Sequence, residues 1–262
     1  MPPNSNNNSN PDSFVIGGNS HDLSLEGVSY PSGGSVRPLP SAPHVPSVVV
    51  SAEVAAPPSR RQLVLIVTDG SPSMLGRSEG NLTKAEATAQ ATRELVDELL
   101  RSSVKGNFSI AWIPWAEKVL SSWGPKDLVS VPEGTNWDPT RFGGSGTRSA
   151  SALDAAAQMA RVYLDSAMEE RLPASVVVLL LTDGEDGDPS SALRSAEQLR
   201  SIEGVTLAAC RFGTSSSGND LLQQMADPGF YQQVHNADEL RRFFMKSVTQ
   251  GGQRQLMPGG RN

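Results

Sequence analysis

The chain has 262 residues, with 22 Lys and Arg against 28 Asp and Glu, a net charge of −6 and a pI of about 5.1. An acidic chain without a basic stripe lacks the electrostatic footprint that non-specific nucleic-acid binding draws on, so nucleic acid is excluded as the expected partner. The lone cysteine, Cys210, rules out an intramolecular disulfide and fits a reducing compartment. It lies in the apolar stretch 205–210 with no His, Lys or helix start beside it, and reads as a small buried hydrophobe, not a reactive thiol.

Residues 1–60 are crowded with Asn, Ser, Pro and Gly, the composition of a flexible tail or an extended arm. Two short pieces, 13–16 and 45–50, have the apolar character to lie along a domain as an added strand. The first residues lack the cationic start and apolar core of a secretory signal. The longest apolar runs, 64–67 and 176–181, fall far short of the roughly 20 residues that span a bilayer. The expectation is a soluble, cytoplasmic protein with no membrane span.

From residue 61 strand and helix signals alternate, as in a parallel sheet covered on both faces. Residues 62–68 read as a fully buried first strand. Residues 83–101 follow as a helix: Ala87, Ala91, Leu95 and Leu99 recur at intervals of four, and Thr83 with Glu86 forms a capping box. Residues 107–115 and 117–123 read as two strands joined tightly at 114–117, hence an antiparallel hairpin at one edge. Trp112, Trp115 and Trp123 lie on that hairpin, with core packing as their default role. A helix is expected over 147–167 and the most apolar strand over 174–182. Asp188 and Pro189 then open a helix, with a capping residue and a proline at the first position, that runs to about residue 202. A strand at 205–212, a short helix at 219–226, a strand at 231–234 and a helix at 237–248 complete the domain. The expected architecture over 61–249 is a Rossmann-like, doubly wound α/β fold, mostly parallel with one antiparallel edge strand. Residues 250–262 form a tail without packing signal.

Three loops carry the chemistry. Asp69-Gly70-Ser71-Pro72-Ser73 leaves the first strand with one carboxylate and two hydroxyls at alternate positions, a small hard-oxygen cradle for a divalent cation. Thr147 ends the glycine-rich stretch 143–147, and Asp183 follows the most apolar strand in Leu181-Thr182-Asp183-Gly184. In an open parallel sheet ligands gather outside the carboxyl ends of the strands, near the point where strand order reverses, so the fold itself brings the loops together.

This constellation resembles the von Willebrand factor type A domain with a metal-ion-dependent adhesion site. That family's pattern is Asp-x-Ser-x-Ser, then a Thr in a glycine-rich loop, then an Asp after a buried strand. Asp69, Ser71 and Ser73 match its first element, Thr147 its second and Asp183 its third. The resemblance covers residues 61–248 and implies a bound Mg²⁺ or Mn²⁺. Ser71, Ser73 and Thr147 would offer hydroxyls, Asp69 and Asp183 would contact the ion directly or through water, and a partner protein's Glu or Asp would complete the octahedron. Pro72 departs from the glycine often found at its position. The closing stretch 231–244 resembles the bacterial tellurium-resistance-associated subgroup, which implies an intracellular stress or signalling complex with a serine/threonine kinase or a metal-dependent phosphatase.

The expected function is therefore a non-catalytic, metal-dependent protein interaction module. One alternative is a structural subunit binding through metal-independent surfaces; another is a haloacid dehalogenase-like phosphatase. The phosphatase chemistry needs a second acid two positions after the nucleophilic Asp, where this chain has Ser71. Glu185, Asp186 and Asp188 read as groups that offset the positive end of a helix. His235 reads as a loop residue.

Overall fold

Five consecutive apolar residues, Leu63 through Val67, demand cover on both faces of their strand, and all five are fully buried. The computed structural model describes residues 60–214 and 219–254; residues 1–59, with the two apolar pieces of the expected tail, lie outside the described residues. The run belongs to β1 (Arg61–Asp69), which pairs in parallel with β2 (Phe108–Trp115) on one side and β4 (Ala174–Thr182) on the other. β3 (Trp123–Asp127) pairs antiparallel with β2, and β5 (Val205–Phe212) and β6 (Tyr231–Val234) extend the far side in parallel. The order is β3-β2-β1-β4-β5-β6. The chain moves outward from β1 to one edge and then crosses back to β4, so strand order reverses between β1 and β4.

Alternate side chains of the strands enter two cores. Val64, Ile66, Val177 and Leu179 pack under α1 (Lys84–Arg101) and α5 (Ala237–Arg254). Leu63, Leu65, Val176 and Val178 pack under α2 (Ala150–Glu169), α3 (Pro189–Arg200) and α4 (Asn219–Met225). Each such side chain removed from water contributes about 1.5–3 kcal/mol, so the β1–β4 pair is firmly anchored between the two cores. The doubly wound α/β architecture expected from the sequence is the one observed, including the capping box at α1 and the Asp188 cap of α3.

Three expected boundaries need correction. The antiparallel strand begins at Trp123 instead of ending there. Residues 116–122 form a loop whose backbone is committed elsewhere: Leu120 and Ser121 both donate to the Pro114 carbonyl, and Glu117 donates to the Ser145 carbonyl. α2 starts at Ala150, three residues after the expected Thr147, because Arg148 donates its amide to the Ala116 carbonyl and Ser149 donates its own to Asp186. α5 does not stop at Val248 but runs to Arg254, so the start of the expected tail over 250–262 is helical. Gly251 explains the extension: a Cβ there would come within 2.7 Å of Val177 Cγ2, and its absence lets the last turns lie against β4.

The tryptophans behave as core. Trp112 and Trp115 are buried, and Trp112 meets the buried Trp137 edge-on with centroids 5.4 Å apart. Among the described residues, no helix is long and apolar enough to cross a membrane.

Candidate metal centre

Parallel pairing of β1 with β4 ends both strands at the same level, with Thr68 opposite Leu181. Asp69 and Asp183 leave those ends side by side, at the reversal point of the sheet. Asp69 is fully buried. Its Oδ1 accepts the Ser71 amide at 2.8 Å and its Oδ2 accepts the Thr182 hydroxyl at 2.6 Å. From there a chain of side chains runs across the site. Ser71 Oγ and Ser73 Oγ lie 2.9 Å apart, and Ser73 Oγ donates to Asp183 Oδ1 at 2.6 Å. Pro72 opens the single 3-10 turn, Pro72–Leu75, that holds Ser73 in place, so a rigid residue here supports the loop.

The second loop comes to this chain along the backbone. Glu117 and Arg148 bond it to residues 116–117, and the Thr147 carbonyl accepts the Gly187 amide at 2.7 Å. Thr147 Oγ1 stands 3.6 Å from where a Cβ on Gly184 would be, which sets its hydroxyl against the loop that Asp183 begins. All five expected residues thus converge on one end of the sheet. Four are linked through hydrogen bonds, and Thr147 stands beside Gly184, the residue after the fourth.

Burial pushes the Asp69 carboxyl up to about 6, against the pull of the bonds from Thr182 and Ser71, and the neighbouring Asp183 carboxylate adds a smaller push in the same direction. A carboxylate held this way gains from a nearby cation. The donor set of two carboxylates and three hydroxyls is hard oxygen throughout, which suits Mg²⁺ or Mn²⁺ and disfavours softer ions. Among the described residues, no group of three or more His, Cys, Asp and Glu side chains could hold a metal, so an ion at this place would have to draw on the hydroxyls as well.

Three participants were not foreseen. Thr182 could have been noticed as the hydroxyl preceding Asp183, but its partner Asp69 is 113 residues away. Lys84, the first residue of α1, donates its ammonium to Asp183 Oδ2 at 2.5 Å. Its sequence neighbours explain why α1 starts there but not what it reaches. Asp186 accepts both the amide and the hydroxyl of Ser149, at 2.8 and 2.5 Å, and so caps α2 from another loop. Of the three acids expected to offset the start of α3, Asp188 caps it by accepting the Ser191 amide, Asp186 is turned to α2 instead, and Glu185 is exposed. His235 lies half-buried between β6 and α5. Cys210 is fully buried in the core, and burial raises its thiol well above the usual value.

The family model for the von Willebrand factor type A domain matches residues 138–246. No curated protein matches the chain. Among solved structures, the pilus adhesin SpaC from Lactobacillus rhamnosus GG is similar at a TM-score of 0.60 and 11% identity, over 73% of this chain and 30% of that one. The von Willebrand factor domain of the type V pili tip protein Mfa5 from Porphyromonas gingivalis follows at 0.53 and 11%, over 79% and 99%. Proximal thread matrix protein 1 from the mussel byssus gives 0.51 and 18%, over 74% and 46%. The chain spans less than half the length of the mussel protein and of SpaC. At these identities the likeness is one of fold.

Proposed function

From a domain with the von Willebrand factor type A fold, we propose a divalent-metal-dependent protein interaction module in which Asp69, Ser71, Ser73, Thr147 and Asp183 hold Mg²⁺ or Mn²⁺. Domains of this type generally mediate metal-dependent protein interaction. The observation that carries the reading is the continuous bonded chain from Ser71 through Ser73 to Asp183, laid beside the buried Asp69 at the reversal point of the sheet. Such a chain orders the hydroxyls before any ion arrives, so their alignment costs little at the moment of binding.

When bound, the ion supplies a Lewis-acidic position that the protein's few negative charges leave unsatisfied. A Glu or Asp carboxylate of a partner protein is the group of matching charge and hardness. The module is non-catalytic in this reading: no second acid follows Asp69, and Ser71 is engaged with Ser73. The likeness of residues 231–244 to the tellurium-resistance-associated subgroup extends the proposal to a bacterial cytoplasmic stress or signalling complex, with a serine/threonine kinase or a metal-dependent phosphatase as partner.

The test is capture of partners on the immobilised full chain with Mg²⁺ and with a chelator, read by mass spectrometry. Metal-dependent retention of a protein that is released by free glutamate-rich peptide supports the proposal. Retention unchanged by the chelator points instead to a structural subunit working through other surfaces.

A further inference from the structure

A cradle of carboxylates and hydroxyls has no need of an ammonium group, yet Lys84 places one directly on it. Lys84 Nζ lies 2.5 Å from Asp183 Oδ2, with the lysine side chain one-fifth exposed and that of Asp183 almost fully buried. The contact is built in, because the Thr83–Glu86 capping box fixes the first turn of α1 and Lys84 is its first residue. Asp69, by contrast, accepts the Ser71 amide and the Thr182 hydroxyl. The two carboxylates are thus treated differently, and Asp183 already carries a counter-charge.

We propose that Lys84 is a tethered counter-cation of the centre, competing with the divalent ion for Asp183 and thereby setting a weaker metal affinity than the five oxygen donors alone would give. The inference rests on the metal reading above. A carboxylate oxygen bonded to an ammonium at this distance has less charge to offer a second cation, and the two positive charges repel. The ammonium also has somewhere to go. Lys84 and Asp183 both line a cavity of about 260 Å³ with Arg77 and Glu79 in its wall, which leaves the lysine side chain room to move aside. While no metal is bound, the same pair keeps Asp183 from standing buried and uncompensated.

The experiment is a Mn²⁺ titration of the full chain, followed by electron paramagnetic resonance, for the wild type, Lys84→Met, Lys84→Gln and Lys84→Arg. Tightening of at least tenfold in Lys84→Met and Lys84→Gln, with Lys84→Arg close to wild type, is the expected result. A purely structural ion pair would give the opposite sign, since its loss would disorder Asp183, so unchanged or weaker binding in both neutral variants overturns the proposal. Should Lys84→Met fail to fold, Lys84→Gln carries the comparison. If neither wild type nor any folded variant binds Mn²⁺, the metal reading falls, and this inference with it.

Discussion

The first and third loops of the centre are joined side chain to side chain, whereas the second is held almost wholly by its backbone. Ser71, Ser73 and Asp183 bond one another, and Asp69 is locked by Thr182. The stretch before α2 is bonded through the Ser145 carbonyl, the Arg148 amide and the Thr147 carbonyl. The difference is instructive. Where functional groups also hold the loop together, a substitution strikes binding and order at once. Where the main chain holds the loop, the side chain can be changed for binding alone.

The comparison breaks most severely at Asp69. Asp69→Ala should weaken Mn²⁺ binding by more than about a hundredfold, because it removes a proposed donor together with the acceptor for Thr182 and Ser71; titration beside far-ultraviolet circular dichroism separates lost binding from lost fold. Next comes pH. Asp69 titrates at about 6 in the fold against a usual 3.8. A raised carboxyl contributes stability that is full below about 3.8 and lost as the pH climbs through 6, amounting to about 3 kcal/mol. Denaturant unfolding in chelator should show this loss between pH 4 and 7, and Mg²⁺ should abolish it by holding the carboxylate ionised.

Asp186→Ala attacks the second loop through its anchor. Loss of two bonds to Ser149 should cost about 2 kcal/mol of stability, measured by the same unfolding curves, with a smaller effect on Mn²⁺ affinity. Thr147→Ala should do the reverse: affinity about tenfold weaker, and stability changed by less than about 0.5 kcal/mol. If Thr147→Ala destabilised the fold as much as Asp186→Ala does, the second loop would not be backbone-held in the sense described.

Much of this arrangement was legible in the sequence because it is local or periodic. The apolar run of β1, the Thr83–Glu86 box and the Asp188-Pro189 start each declare themselves within a few residues. The five candidate donors could be read from their places at strand ends and in a glycine-rich loop. Lys84, Thr182 and Asp186 could not, since each acts on a partner between 37 and 113 residues away. The late start of α2 has the same origin, for its cap comes from another loop. The β3 boundary departs from the sequence pattern because residues 117–123 have strand-like composition while backbone groups of Glu117, Leu120 and Ser121 are engaged by Ser145 and Pro114.

The margins of the sheet bear on how this protein keeps company. On one side the last strand is β3, with Pro125, Lys126 and Asp127 all facing solvent; on the other it is β6, only four residues long. A proline removes a donor from the rim, a lysine resists being covered, and four residues give an incoming strand little to zip onto. Among the described residues, neither rim is a good template for fibril-like stacking. Short or proline- and lysine-bearing rims of this kind discourage edge-to-edge pairing between copies of a domain.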